Sequence, residues 1–164
     1  MMWGMRGKAL LVLAVIALGV AADQAVKVVA VDLLSGRPPV EVAGGLLVFR
    51  YVENPGAILS LGAGLAPSQR TWIFTVAVGA ILAALVAFVV LSRGTRALEL
   101  WAVALIASGG VGNLIDRVRF GFVRDYVLLA IGRLPTAVFN LADAAITAGG
   151  VLLLIHLLTS RRGK

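Results

Sequence analysis

The sequence predicts an all-α integral membrane protein with four transmembrane helices and a small extracytoplasmic β-like segment and loop. Of its 164 residues, 60% are apolar and only 14% are charged, and the mean hydropathy is +1.00. A soluble domain carries about 25% charged residues, which it needs to cover its surface. Four apolar stretches reach the length of about 20 helical residues that crosses a bilayer. We therefore treat residues 1–164 as one four-span membrane domain.

The first predicted span covers about residues 9–31 and follows two basic residues. Its apolar core reaches Val20-Ala21-Ala22, which also resembles the cleavage site of a secretory signal peptide. The apolar pattern resumes after Asp23 and continues to Leu34, which favours an uncleaved span. The other three spans are predicted at about 72–91, 98–115 and 139–158.

Both termini are predicted to lie in the cytoplasm. The basic residues flanking the spans divide equally between the two sides, but one set is packed into short segments at the termini and at 92–97. Short loops weigh most in the positive-inside rule. The longer segments, about 35–69 and 117–138, are therefore placed outside, where long loops often carry function. Within the first of them, residues 46–52 are predicted to form a short strand, with 40–42 as its candidate partner.

Composition excludes several classes of function. The net charge is +7, yet the basic residues punctuate apolar runs as flanks of membrane spans do, so we expect no nucleic-acid partner. The chain has no Cys and one His, His156. It therefore cannot form a disulfide, a thiolate nucleophile or a site rich in Cys or His ligands, and we expect no metal and no cofactor.

Polar and ionisable residues lie at one depth in three of the spans. Such groups cost roughly 2.5 to 3.5 kcal/mol each at the centre of a span, so each needs a reason. Spans one and three run outward and span four runs inward, so the topology brings these residues together near the outer leaflet. Each pair has helical spacing and shares one helix face: Asp23 with Lys27, Asn113 with Asp116, and Asn140 with Asp143.

Two interpretations of these residues remain open, one structural and one catalytic. Asp23–Lys27 and Asp116–Arg117 have the composition of ion pairs that hold transmembrane helices together. Adjacent residues on a helix point about 100° apart, so Arg117 is a poor partner for Asp116. We expect Asp116 instead to brace the outer segment by hydrogen-bonding the backbone that carries Asp125. The nearby Gly109, Gly110 and Gly112 are expected to permit close helix packing.

Asp125 and Asp143 differ from the other acids, because neither has a base at helical spacing on its own element. Asp125 lies in the loop between spans three and four, within an apolar frame that predicts a segment tucked against the bundle. Two close carboxylates short of counter-charge share a proton, which is the arrangement of an aspartic protease. A Ser–Lys pair of Lys27 with Ser60 or Ser108 is a weaker alternative, because Asp23 tends to keep the lysine charged.

Five short motifs follow one another along the chain. They are Asp23-Gln24 with Lys27, Asn54-Pro55-Gly56-Ala57 with Ser60, Gly109-Gly110-x-Gly112-Asn113-x-x-Asp116-Arg117, Val123-Arg124-Asp125-Tyr126, and Phe139-Asn140-x-Ala142-Asp143. Their order, spacing and four-span layout resemble the prolipoprotein signal peptidases, the type II signal peptidases of bacteria. The chain departs from that pattern at Arg124, where the family usually has an apolar residue, and at Ile58-Leu59, where it usually has a small residue followed by an aromatic one.

The resemblance implies an aspartic endopeptidase of the bacterial inner membrane, with its active site near the outer leaflet. Such an enzyme removes the signal peptide from diacylglyceryl-modified prolipoproteins by cleaving before the lipidated cysteine. Its partners are these substrates and membrane lipids, and we expect a monomer. The catalytic pair falls on Asp125 and Asp143. The residues that position substrate or brace the aspartates fall on Asp23, Lys27, Asn54, Gly56, Asn113, Asp116, Arg117, Asn140 and Ala142.

Two other functions are compatible with intramembrane acids. A small proton-coupled transporter would need a polar route to both leaflets, but the inner half of each span is nearly bare of polar side chains. A non-catalytic membrane assembly factor would tolerate Asp125→Asn, which a peptidase would not.

Overall fold

The fold consists of four long helices and a small antiparallel sheet, which confirms the predicted class. The computed structural model describes residues 4–55, 66–131 and 134–160. In chain order its elements are α1 (Met5–Leu34), β1 (Val40–Val42), β2 (Leu47–Asn54), α2 (Pro67–Leu91), α3 (Ala97–Phe120), β3 (Val123–Ile131), β4 (Leu134–Pro135) and α4 (Leu141–Ser160).

Three of the helices, α1, α3 and α4, are long and apolar enough to cross a membrane. Within α2, the corresponding apolar stretch is the shorter Thr75–Leu91. Helix α1 runs unbroken through Val20-Ala21-Ala22, so that Asp23 and Lys27 lie inside a continuous helix. Many large apolar side chains of the helices are exposed, as is expected of surfaces that face lipid.

Helix α3 is the centre of the bundle and packs against the other three helices. Glycines allow this close approach. A side chain at Gly109 would overlap the carbonyl oxygen of Ala142 on α4, and one at Gly110 would overlap Leu82 on α2. A Cβ at Gly149 would lie 2.6 Å from the carbonyl oxygen of Ala102. The packing role predicted for Gly109 and Gly110 is confirmed.

The sheet has the order β1-β2-β3-β4, and its strands pair antiparallel. The predicted strand at 46–52 and its pairing with 40–42 are confirmed, with Val40 opposite Phe49 and Val42 opposite Leu47. Strand β2 also pairs with β3, although the register shifts between Phe49 and Val52. This shift is a β-bulge or similar irregularity, which locally disrupts the ladder.

The segment after span three differs from the prediction. We expected span three to end near residue 115 and Asp125 to lie in a loop, but α3 continues to Phe120 and Asp125 lies on β3. Gly121 ends the helix in the left-handed conformation, with φ of 81°. The last turn of α3 contains the basic residues Arg117 and Arg119. They favour the extension of the helix to Phe120, because cations are stabilised at a helix C-terminus.

The half of the bundle that contains the start of α1, which we call the inner end, is held by apolar packing, and we call the opposite half the outer end. Its core is a cluster of buried side chains from three helices: Val12, Val89, Leu100, Val103 and Ala104. Near this core, the buried Lys8 of α1 donates hydrogen bonds to the carbonyl oxygen of Ser92 at 2.6 Å and to Thr95 Oγ1 at 2.9 Å. The partners of Lys8 at this end are therefore neutral acceptors that follow α2.

Candidate active site

The N-terminus of α4 is the organising point of the site. Asn140 precedes the helix and accepts a hydrogen bond from the Asp143 N–H at 2.9 Å, while Asp143 Oδ2 accepts one from the Asn140 N–H at 3.2 Å. This is the reciprocal arrangement of a capping box. The N–H groups between them find partners on other elements, since Leu141 donates to the Tyr126 hydroxyl and Ala142 donates to Asp23 Oδ1, each at 3.1 Å. The start of α4 is thereby tied to both α1 and β3.

Asp125 lies on β3 and is 1% exposed. Its two oxygens accept hydrogen bonds from amide side chains, one from Asn54 Nδ2 at 2.9 Å and one from Asn140 Nδ2 at 2.6 Å. Asn54 is the last residue of β2, and the antiparallel pairing of β2 with β3 brings it to this position. The pairing of these strands therefore places a buried carboxylate next to the start of α4.

Asp143 lies in the first turn of α4 and is half-buried. Its Oδ1 accepts a hydrogen bond from Asn113 Nδ2 at 2.8 Å, and Asn113 in turn accepts one from Asn140 Nδ2 at 3.1 Å. Asn140 is thus bonded directly to both Asp125 and Asp143. A cavity of about 570 Å³ borders Asp143 and is lined mainly by small and hydroxyl-bearing residues: Thr136, Ala137, Ala144, Thr147 and Ala148.

The pKa of Asp125 is raised above the ordinary value of 3.8. Burial is the main cause, because it penalises the charged form, and the negative charge of Asp143 acts in the same direction. The hydrogen bonds from Asn54 and Asn140 oppose this shift without cancelling it. Asp125 therefore holds a proton at a higher pH than an exposed aspartate does.

Beside the two aspartates lies a second set of charges, the outer charge cluster, formed by Asp23, Lys27, Asp116 and Arg124. Lys27 Nζ lies 2.8 Å from Asp23 Oδ2 and 3.2 Å from Asp116 Oδ2. Arg124 Nη2 lies 2.7 Å from Asp116 Oδ1. All four residues are at most 6% exposed, and the two acids balance the two bases. The cluster is therefore a neutral, hydrogen-bonded unit, as burial of charge requires.

Two further contacts complete the cluster. Lys27 Nζ also donates to Asn113 Oδ1 at 3.0 Å, which links the cluster to the asparagines around Asp143. A Cβ at Gly112 would lie 2.6 Å from Asp23 Oδ2, so the absence of a side chain there lets Asp23 approach α3. The packing role expected for Gly112 is confirmed in this form.

Most of the residues singled out in the sequence meet in one connected assembly. It comprises Asp23, Lys27, Asn54, Asn113, Asp116, Asp125, Asn140, Ala142 and Asp143. Arg117 lines a cavity of about 430 Å³ with Ser68, Trp72 and Thr75, and its charge interacts electrostatically with Asp143, Asp125 and Asp116. Gly56 lies outside the described residues, as do Ser60 and Ile58-Leu59.

Two of the alternatives are wrong. The Asp116–Arg117 ion pair, which the angle of about 100° between adjacent helical residues disfavours, is replaced by pairs of Asp116 with Lys27 and Arg124. The bracing contact expected of Asp116 is confirmed, because its Oδ2 accepts a hydrogen bond from the Arg124 backbone N–H at 3.0 Å. The Ser–Lys pair with Ser108 does not form either. Ser108 packs against Gly19, two helical turns before Lys27, whose ammonium is held by other partners.

Sequence reasoning missed the contributions of Gln24, Arg124 and Tyr126. Gln24 Nε2 donates to Asp116 Oδ1 at 3.1 Å, and its Oε1 accepts from Arg124 Nη2 at 2.9 Å. An arginine inside an apolar frame is itself a signal, because a buried guanidinium requires a carboxylate partner. In the described part of the chain, no group of three or more His, Cys, Asp or Glu residues has an arrangement that could hold a metal ion.

Comparison with known proteins identifies the family. Residues 15–159 match the family described as signal peptidase (SPase) II. A lipoprotein signal peptidase from Methylocella silvestris is 41% identical over 152 residues, which cover 91% of this chain and 86% of that protein. One from Desulforapulum autotrophicum is 33% identical over 147 residues, covering 87% of this chain and 88% of that protein. A solved structure described as a bacterial membrane enzyme has a TM-score of 0.80 and 28% identity, covering 93% of this chain and 90% of the other. The chain therefore belongs to the signal peptidase II family and is a membrane peptidase.

Proposed function

We propose that this chain is an intramembrane aspartic endopeptidase that removes the signal peptide from diacylglyceryl-modified prolipoproteins, cleaving before the lipidated cysteine. Asp125 and Asp143 are the catalytic pair. The observation that carries this proposal is that Asn140 hydrogen-bonds to both aspartates, one from β3 and one from α4, beside a cavity that borders Asp143. Relatives named lipoprotein signal peptidase support the class of substrate.

The charges around the four buried or half-buried acids support the choice of these two. Asp23 and Asp116 each contact a base and are neutralised within the outer charge cluster. The donors to Asp125 and Asp143 are amide side chains and a backbone N–H. Neutral donors orient a carboxylate without fixing it in the ionised state, so a proton can be shared between the pair.

In this proposal Asp125, which is buried and has a raised pKa, is the acid of the pair, and Asp143, which borders the cavity, is the base. Asp143 takes a proton from water as the water oxygen bonds to the peptide carbonyl carbon, and Asp125 gives its proton to the carbonyl oxygen. Asp143 then passes its proton to the leaving nitrogen as the C–N bond breaks. A hydroxyl proton of the intermediate returns to Asp125, so both acids end as they began.

The remaining residues hold this pair in place. Asn54 and Asn140 orient Asp125, and Asn113 orients Asp143. The outer charge cluster fixes α1 against α3 and caps α4 through Asp23. Gly56 and Arg117, which the family resemblance also marks, act on substrate in this proposal. No metal or cofactor takes part.

The enzyme acts as a monomer in the bacterial inner membrane, with both termini cytoplasmic and the active site near the outer leaflet. The basic residues packed into the short segments at the termini and at 92–97 support this orientation. The orientation is tested by placing a cysteine at Ser160 in this Cys-free chain. We expect no labelling by an impermeant thiol reagent added outside intact cells, and labelling would reverse the topology.

The function is tested by incubating the purified protein in detergent with a diacylglyceryl-modified prolipoprotein. We expect the size shift of a lost signal peptide. The matched control is the same prolipoprotein without the lipid, which should stay intact. Failure of the folded protein to cleave the lipidated form contradicts the proposal, and equal cleavage of both forms contradicts the lipid requirement.

A further inference from the structure

Arg124 directly precedes the proposed catalytic Asp125, and its side chain is buried in the outer charge cluster. We propose that Arg124 is a positioning residue, which sets the location of the Asp125 carboxylate by clamping β3 to α3 through Asp116. The inference rests on the proposed function of Asp125. It assigns a role in the same reaction to a residue at which this chain departs from the family pattern.

The clamp uses both the side chain and the main chain of Arg124. Nη2 donates to Asp116 Oδ1 at 2.7 Å, and Nε donates to Asp116 Oδ2 at 3.2 Å. The backbone N–H of Arg124 donates to the same Oδ2 at 3.0 Å. Two donors of a guanidinium on one carboxylate form a bidentate pair, which fixes direction as well as distance. The peptide unit next to Asp125 is thereby held against α3.

Other contacts of Arg124 reach beyond α3. Nη2 also donates to Gln24 Oε1 on α1 at 2.9 Å, and the guanidinium lies over the Phe120 ring, 4.6 Å from its centroid. One side chain therefore links β3 to α1 and to two positions of α3. A lysine offers a single ammonium group and cannot reproduce the planar fork.

The strand pairing beside Asp125 is irregular. The register of β2 against β3 shifts between Phe49 and Val52, and Val52 is the residue opposite Asp125. On the other side of β3, the Tyr126 and Val127 N–H groups both donate to the carbonyl oxygen of Phe139, which forms an isolated bridge with Val127. Asp125 thus lies at the edge of an irregular stretch of ladder. The Arg124–Asp116 contact supplies a constraint that regular strand pairing supplies elsewhere.

The proposal is tested by measuring kcat, KM and Tm for cleavage of a diacylated prolipoprotein. The variants are Arg124→Gln, Arg124→Lys, Asp116→Asn and the double variant Arg124→Gln/Asp116→Asn. The matched control is Arg119→Gln, because Arg119 is exposed on α3 and its guanidinium also lies near the Phe120 ring, 5.5 Å from the centroid. Asp125→Asn is included to report on the proposed function separately.

We expect Arg124→Gln to lower kcat about 10- to 100-fold, because small displacements of a catalytic group cost rates of this order, with KM within about twofold. Arg124→Lys should recover part of the loss, and Arg119→Gln should stay within about twofold of wild type in kcat. Since Arg124 acts through Asp116, the two losses should not multiply in the double variant. Its kcat should be about that of the slower of the two single variants.

Wild-type kcat in Arg124→Gln overturns the proposal, as does a fall in Tm with kcat of the folded enzyme unchanged. A loss confined to KM overturns it too, because it assigns Arg124 to substrate binding. If Arg124→Gln does not fold, the same criteria are applied to Arg124→Lys: a loss in kcat supports the positioning role, and a loss confined to KM overturns it. An inactive wild type refutes the proposed function itself. An active wild type with a dead Asp125→Asn and unaffected Arg124 variants refutes the positioning role alone.

Discussion

The two ends of the helix bundle contain different kinds of buried side chain, although the same helices form both ends. At the inner end, Val89, Leu100 and their neighbours form an apolar core. At the outer end, the core positions hold buried acids, bases and amides. Each end contains a buried lysine from α1, but Lys8 contacts neutral acceptors, whereas Lys27 contacts two carboxylates. The outer end holds a network of buried charges, and buried charge inside a membrane bundle is typical of a functional site. In our proposal this network holds the two aspartates in place.

The two lysines provide the largest expected contrast. Lys27→Met should leave Asp23 and Asp116 short of a base, at a cost of about 3 to 5 kcal/mol of stability, and should abolish cleavage. Lys8→Met loses hydrogen bonds to neutral acceptors and should cost about 1 to 3 kcal/mol with kcat unchanged. Tm and kcat of both purified variants check this pair. A loss of kcat in Lys8→Met equal to that in Lys27→Met would remove the distinction between the two ends.

Truncation in the inner core should affect stability and leave chemistry intact. Leu100 is 2% exposed within the apolar cluster, so Leu100→Ala should cost about 2 to 5 kcal/mol through the cavity it leaves. The control is Leu91→Ala, because Leu91 is 67% exposed and the change should stay within about 0.5 kcal/mol. Thermal unfolding in detergent measures both. If kcat of folded Leu100→Ala fell as well, the inner end would be coupled to the site.

The pH dependence of stability should reveal the environment of Asp125. Its folded-state pKa lies above the ordinary 3.8, so its contribution favours folding at low pH and is lost as pH rises through the raised pKa. The asparagine of Asp125→Asn cannot ionise, so this variant does not lose stability in this way as the pH rises. The Tm of Asp125→Asn minus that of wild type should therefore increase from about pH 4 towards neutral pH. A difference that stays constant over that range would mean that burial does not raise the pKa of Asp125.

The smallest expected effect is that of chelators and covalent reagents. Hydrolysis by two aspartates needs no metal and the chain has no Cys, so EDTA, thiol reagents and serine reagents should leave cleavage unchanged. A titration of each against the prolipoprotein assay checks this. Loss of activity with EDTA, restored by a divalent ion, would contradict the aspartic mechanism.

Much of the fold and of the site could be predicted because the sequence signals are local. Apolar runs indicated the four helices, and helical spacing placed Asp23 with Lys27 and Asn140 with Asp143 on shared faces. Strand β3 was missed because it pairs with the distant strand β2. Asn54 and Val123, which lie opposite each other, are 69 positions apart (123 − 54), and pairing over such a distance has no local signal. The ion pairs of Asp116 with Lys27 and Arg124 were missed for the same reason, since they join three separate elements. The hydrogen bond of Asp116 to the backbone before Asp125 was predicted correctly.

The central claim, that Asp125 and Asp143 perform the chemistry, is tested most directly by cleavage assays on Asp125→Asn and Asp143→Asn. The matched control is Asp32→Asn, the same change at an exposed acid of α1. With diacylated prolipoprotein as substrate, each active-site variant should lose about 10²- to 10⁴-fold in kcat while remaining folded and inserted, and Asp32→Asn should match wild type. Turnover by either active-site variant within about tenfold of wild type would remove that aspartate from the catalytic pair.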